Sequence, residues 1–214
     1  EMQLIADIAR EHGLFLVADE VYREFVYGGE PLSTFLTIPG IEENLIVVDS
    51  VSKRFSACGA RVGALISRNP EFIAQAMKLC QGRLCSATLD QLGASALYSV
   101  DPDYFNATRD EYRRRRNACV EGLHKIPGVV CGEPKGAFYL MAKLPVDDAD
   151  RFQQWLLEEF DDEGETVMFA PGASFYQTPG KGVDEIRIAY VLNCRDSARA
   201  IDLLAKGIAR YNAR

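Results

Sequence analysis

The chain has 214 residues, of which 48% are hydrophobic and 26% are charged, and its net charge at pH 7 is −7. This is the composition of a globular protein with a sizeable core, and the acidic balance argues against a general nucleic-acid-binding protein. No apolar run approaches the ~20 residues of a membrane span. The six cysteines form no C-x-x-C pair and the two histidines do not cluster, so we predict no metal site and, from the reduced thiols, a cytoplasmic protein.

The apolar pattern of the first hundred residues predicts alternating helices and strands. In chain order these are a helix over 2–12, strands over 14–19, 45–49 and 61–67, and helices over 70–82 and 88–98. A loop with several glycines and prolines separates the first two strands and runs to residue 43. Long apolar runs fed from helices are typical of buried parallel strands.

The second half of the chain predicts a separate α/β sandwich. Asp101 followed by Pro102 marks the start of a long helix that ends near Lys125. After it we predict strands over 137–143, 166–169 and 185–191, and helices over 148–160 and 196–211. We therefore expect two domains, residues 1–102 and 103–214.

Four consecutive arginines, Arg113–Arg116, occur within the long helix. Consecutive residues fan around a helix axis, so these side chains do not form one focused patch for phosphate or nucleic acid. We expect a solvated or interface face, with Asp110 and Glu111 nearby.

Lys53 lies in a turn of small and hydroxyl-bearing residues directly after the apolar run 45–48. Such a lysine is usually a solvated loop residue. A lysine that forms an imine with an aldehyde, however, needs a rigid anchor, small neighbours and a nearby cation such as Arg61. The sequence therefore leaves two interpretations of Lys53.

Asp19 lies at the carboxyl end of the first predicted strand, and Lys53 follows the second. In open α/β sheets, ligands bind beyond the carboxyl ends of the strands. Asp19 alone is equally consistent with a loop or cap residue. Together, the two strands predict that Asp19 and Lys53 lie on the same edge of a sheet.

Several motifs in this order resemble the pyridoxal-phosphate-dependent aminotransferases of fold type I, class I/II, and more narrowly the relatives of aspartate aminotransferase. The motifs are Asp19-Glu20-Val21-Tyr22, Ser50-Val51-Ser52-Lys53, Arg61-Val62-Gly63, Gly136-Ala137-Phe138-Tyr139, Ala170-Pro171-Gly172-Ala173-Ser174-Phe175 and Asp184-Glu185-Ile186-Arg187-Ile188-Ala189-Tyr190. The resemblance covers essentially the whole chain. It implies part of the three-layer large domain of the PLP transferase fold, followed by an α/β sandwich small domain.

The resemblance also implies roles in binding pyridoxal 5′-phosphate. Lys53 would form the imine and then act as the base, Asp19 would face the pyridine nitrogen, and Tyr22 would bond the phenolic oxygen. Ser50 and Arg61 would hold the phosphate. In the second domain, Arg187 would bind the α-carboxylate of an amino acid; without the resemblance, an arginine in a surface ion pair is the plainer interpretation.

By this resemblance the protein is an aminotransferase that moves an amino group between an amino acid and a 2-oxo acid, with aspartate as the default donor. A lyase or decarboxylase of the same fold, and a non-catalytic sensor domain or fragment, are the alternatives. The chain opens with Glu1, directly before a predicted helix, and the resemblance implies that it is the C-terminal part of a longer chain. We expect the intact protein to be a homodimer and these residues alone to be inactive.

Overall fold

Residues 1–29 and 31–214 are described by a computed structural model. The chain divides into two units, Glu1–Ala107 and Thr108–Arg214. Glu30, within the loop predicted to run to residue 43, lies outside the described residues. Each unit has its own sheet.

The first unit is built on a three-stranded sheet of order β1-β2-β3. Strands β1 and β2 are parallel, and β3 runs antiparallel to β2. The six elements predicted for this part of the chain are confirmed, with ends within two residues of those expected. The helices and strands are α1 Met2–Glu11, β1 Leu16–Asp19, β2 Leu45–Ser50, α2 Val51–Arg54, β3 Gly63–Ser67, α3 Pro70–Arg83, α4 Thr88–Leu97 and the start of α5 Asp103–Leu123.

Two apolar clusters support the sheet of the first unit. One joins α1, through Ala6, to the strand residues Ala18 and Val47. The other lies beside α2, where Val51 and Phe55 pack with Ala94 of α4. The Phe55 ring also contacts the rings of neighbouring aromatic residues, Tyr98, Tyr104 and Phe105. The one-turn helix α2, where the sequence predicted a turn, is therefore anchored at its end by an aromatic cluster.

The second unit has a four-stranded antiparallel sheet of order β4-β5-β7-β6. The three helices predicted for this half are confirmed. The bounds here are the remainder of α5, β4 Val130–Cys131, β5 Tyr139–Lys143, α6 Ala149–Glu158, β6 Ala170–Pro171, β7 Glu185–Ala189 and α7 Cys194–Asn212. Phe152 and Leu156 of α6, Ile186 of β7 and Leu204 of α7 are almost completely buried and form its core.

The predicted strand over 166–169 is wrong. Thr166 Oγ1 donates a hydrogen bond to the carbonyl of Leu156, and the amide of Phe169 donates to Gln153 Oε1, each at 2.7 Å. This segment is therefore hydrogen-bonded to α6, and the pairing with β7 begins only at Ala170. β4 was not predicted, because two residues give no measurable periodicity.

The arginine run of α5 makes ion pairs with neighbouring acids, as the sequence indicates. Arg113 contacts Asp110 at 2.7 Å, and Arg114 contacts Glu111 at 2.6 Å. Arg115 reaches Glu111 and also donates to the carbonyl of Val191. Arg116 departs from the expected exposed face, because it is buried and its guanidinium donates to the carbonyl of Pro134.

Candidate functional site

The carboxyl ends of β1 and β2 lie side by side on one edge of the first sheet. The two strands are parallel, with Asp19 opposite Val48, and the amide of Glu20 extends the pairing by donating to the carbonyl of Val48 at 2.9 Å. Asp19 is the last residue of β1, Tyr22 lies in the segment after β1, and Lys53 lies in the segment after β2. This is the type of edge at which open α/β sheets bind ligands.

Asp19 and Tyr22 lie at the start of the turn that follows β1. Asp19 is exposed, and its Oδ1 accepts a hydrogen bond from the amide of Val21 at 3.2 Å. This bond gives Asp19 the local turn role that its sequence position allows, and it fixes the carboxylate at the strand end. Tyr22 is half-buried and meets the ring of Phe25 edge-on, with 6.2 Å between the ring centroids.

Lys53 is half-buried within α2, and Ser50 caps this helical turn. The Ser50 hydroxyl oxygen accepts from the amide of Ser52 at 2.9 Å. The same hydroxyl lies 2.7 Å from Ser52 Oγ and 3.2 Å from the carbonyl of Val62. Ser50 thus holds the lysine turn together, and Ser52, which we did not predict as a site residue, belongs to the same hydrogen-bonded group.

Arg61 lies in the loop between α2 and β3, which is tied to the lysine turn. The carbonyl of Val62 accepts bonds from the Ser50 hydroxyl and from the amide of Val51, the latter at 3.3 Å. Arg61 itself has a left-handed backbone, with φ of 54°, an uncommon state for a residue with a side chain that Ser56, Leu84, Ala137 and Glu163 share in this chain. Its exposed guanidinium donates to the carbonyl of Cys58 at 3.0 Å.

Charged residues that the sequence analysis did not single out are buried at the same edge. Asp49, Arg54 and Glu20 are each less than a tenth exposed. Asp49 accepts from its own neighbour, the amide of Ser50, at 2.7 Å and from Arg54 at 2.6 Å. The one available sequence signal was the position of Asp49 at the end of an apolar run, which places a carboxylate where water is excluded.

Arg187 belongs to the second unit, where it projects from β7. Its guanidinium lies over two aromatic rings, 4.6 Å from the centroid of Tyr139 and 4.5 Å from that of Phe175. It also lines a pocket of about 460 Å³ whose other walls include Phe169 and Leu204. Among the lining residues that the structure describes, Arg187 is the cationic one.

The donors of the first unit suit pyridoxal 5′-phosphate by their chemistry. The edge carries an amine, a carboxylate and, in the loop tied to it, a guanidinium, which match an aldehyde, a ring nitrogen and a phosphate. Within residues 1–29 and 31–214, no group of three or more metal-ligating side chains is found. In the same residues, no helix has the length and apolarity needed to cross a membrane.

Comparison with known proteins places the chain in a family. The sequence model described as "Aminotransferase class I and II" matches residues 1–201. The aspartate aminotransferase of Musicola paradisiaca is 31% identical over 221 residues, which cover 100% of this chain and 52% of that protein. Aromatic-amino-acid aminotransferase 2 of Thermococcus litoralis is 30% identical, with 96% of this chain and 52% of that protein covered.

Solved structures agree with this placement. The crystal structure of the Thermotoga maritima aspartate aminotransferase matches with a TM-score of 0.82 and 27% identity, over 97% of this chain and 51% of that chain. The expected fold class, α/β with part of the PLP transferase fold, is confirmed. The chain spans about half the length of the curated relatives it matches. It belongs to the aminotransferase class I and II family.

Proposed function

We propose that the protein containing this chain is a PLP-dependent aminotransferase that moves an amino group between an amino acid and a 2-oxo acid. Family membership supports the reaction class. The observation that carries the proposal is the parallel pairing of β1 and β2, which brings the segments with Asp19 and Lys53 to one edge of the sheet. Relatives named for aspartate and for aromatic amino acids leave the donor open, with aspartate as the default.

Pyridoxal 5′-phosphate, when bound, supplies an aldehyde for the amino group and an electron-withdrawing ring. We assign Lys53 to hold the aldehyde carbon and, once released by the incoming amino acid, to move the proton at the substrate Cα. Asp19 holds a proton on the ring nitrogen, because a carboxylate stabilises the positive charge there. Tyr22 bonds the phenolic oxygen, and Ser50 and Arg61 hold the phosphate.

The Ser50 assignment has a structural condition. Its single proton already points to Ser52 Oγ or to the carbonyl of Val62. Donation to a phosphate oxygen therefore requires the hydroxyl to rotate away from these acceptors, while its oxygen still accepts from the amide of Ser52. The cap and the phosphate contact are compatible on this account.

In the second unit we assign Arg187 to the α-carboxylate of the amino acid. The paired donors of a guanidinium match the two oxygens of a carboxylate, and Arg187 is a lining residue of the pocket described above. The division into a PLP-binding part, residues 1–102, and a small domain, residues 103–214, belongs to the same proposal. Homodimerisation of the intact protein and weak turnover by these 214 residues alone stay predictions, which light scattering and a transaminase assay test.

The test is covalent trapping of the cofactor. We expect borohydride reduction of the protein with pyridoxal 5′-phosphate, followed by peptide mapping, to locate the cofactor on Lys53, and Lys53→Ala to abolish the adduct. Lys78→Ala is the control, because Lys78 lies on α3 of the same unit and bonds Gln75. Cofactor on another lysine in the wild type, or an unchanged adduct in Lys53→Ala, contradicts the assignment.

Product analysis of the intact protein separates amino-group transfer from a lyase reaction. Release of a 2-oxo acid without ammonia supports transfer.

A further inference from the structure

Buried ion pairs connect the two segments that carry the proposed cofactor residues. Glu20, Arg23 and Glu24 follow β1, whereas Asp49 is the penultimate residue of β2 and Arg54 is the last residue of α2. We call these five residues the ion-pair bridge. Asp19 directly precedes its first member, and Lys53 directly precedes its last.

Each segment has a tight pair of its own. Arg54 Nη2 donates to Asp49 Oδ2 at 2.6 Å, with both side chains about one-tenth exposed. Arg23 Nη1 donates to Glu20 Oε2 at 3.1 Å. The other oxygen of Glu20 accepts from the hydroxyl of Thr34 and the amide of Phe35, so this carboxylate also holds the loop that follows.

Two longer contacts cross between the segments. Arg54 Nε lies 3.7 Å from Glu24 Oε1, and Arg23 Nη2 lies 3.9 Å from Asp49 Oδ2. These distances are too long for hydrogen bonds, but charges attract strongly over 4 Å when water is largely excluded. All four side chains involved are less than a quarter exposed. Each guanidinium therefore contacts one carboxylate of its own segment and one of the other.

Such buried charges are a poor way to gain stability, since well-packed apolar residues in their place are often as stable or more so. Their attraction does favour one arrangement of the two segments, because each guanidinium is held between a carboxylate of its own segment and one of the other. We infer that the ion-pair bridge sets the position of the Asp19–Tyr22 turn relative to the Lys53 turn, with Asp49 and Arg54 as positioning residues. The functional consequence rests on the proposed function, whereas the coupling between the segments does not.

Hydrogen exchange in the cofactor-free full chain tests the coupling. Arg54→Lys keeps a positive charge but lacks the Nε that lies near Glu24, and Asp49→Leu with Arg54→Met removes both charges of the tight pair. In the folded variants we expect faster amide exchange across residues 20–24 as well as 51–55. Exchange that changes only across 51–55 overturns the inference. The control is Asp110→Leu with Arg113→Met, an exposed pair at 2.7 Å, which should leave both segments unchanged.

The rate of cofactor attachment tests the consequence. In the double variant we expect the cofactor to attach to lysine about tenfold more slowly or worse, because small misplacements of reacting groups lower rates steeply. Attachment at the wild-type rate overturns the positioning role. If the wild type takes up no cofactor, the proposed function fails, and the exchange experiment still decides whether the bridge couples the segments.

Discussion

Arg187 shows how a single side chain is oriented by groups distant in sequence. Its guanidinium lies 4.5 Å from the Phe175 ring and 4.6 Å from the Tyr139 ring. Tyr139 is the residue directly across from Ala189 on the neighbouring strand, and Phe175 ends the short 3-10 turn after β6. A planar guanidinium packs well against aromatic faces, and this contact restricts the rotation of the Arg187 side chain. The two rings therefore restrict the orientation of the Arg187 guanidinium.

On the proposed role of Arg187, we expect Phe175→Ala in the intact protein to raise the KM for the amino donor by up to about tenfold with kcat little changed, because one cation–π contact is lost and Arg187 gains freedom. Phe175→Tyr keeps an aromatic face and should retain the wild-type KM, whereas Phe175→Leu keeps bulk and should not. Steady-state kinetics of the three variants measure this. A leucine variant with the wild-type KM would show that the ring only fills space.

The elements differ in how far the sequence could predict them. Helices α1, α6 and α7 were predictable because their apolar stripes repeat within each helix. The position of β6 was not, because it depends on where Gln153 and Leu156 capture residues 166–169 through hydrogen bonds. A stretch such as Thr166–Phe169 has strand-forming residues, yet its local preference is weaker than those tertiary bonds.

The turn from β6 to Phe175 depends on Gly172. Its amide donates to the carbonyl of Glu185 at 2.7 Å, and an added Cβ would lie 2.7 Å from that carbonyl oxygen and 2.9 Å from its carbon. Because the obstacle is main chain, it cannot rotate away. We expect Gly172→Ala to destabilise the protein by about 1–3 kcal/mol, measured by urea unfolding. Gly132→Ala, where a Cβ meets nothing within 4 Å, is the control. Equal stability of the two variants would disprove this packing argument.

At the scale of the molecule, the sequence could predict which strand ends meet at one sheet edge, but it could not predict which charged side chains are buried there. Asp19 and Lys53 were expected at one sheet edge from the order of apolar runs, and the parallel register of β1 and β2 agrees with that order. The sequence did not single out Asp49 and Arg54, because apart from the position of Asp49 at the end of an apolar run nothing local distinguishes a buried ion pair from a solvated one. Their burial results from how α2, Phe55 and the segment after β1 pack, which involves several elements at once.

A second charged cluster, around Asp162, predicts how acid destabilises the protein. Asp162 follows α6 and receives three cations of α7, Lys206 at 2.7 Å, Arg199 at 3.0 Å and Arg210 at 3.4 Å. Hydrogen bonds from Lys206 and then Arg199 lower the pKa of the Asp162 carboxyl.

A carboxyl whose pKa is lower in the folded state stabilises that state fully above its unfolded pKa, about 3.9, and loses this contribution as the pH falls through the folded value. We therefore expect Asp162→Asn to lower the melting temperature at pH 7, with the gap from the wild type narrowing steadily below about pH 4. Thermal unfolding of the wild type and of Asp162→Asn, repeated from pH 7 to pH 2.5, measures the two melting temperatures at each pH. The control Asp161→Asn, at an exposed neighbour, should follow the wild type throughout. A gap that does not narrow at all between pH 4 and pH 2.5 would contradict the stabilising role of the lowered pKa of Asp162.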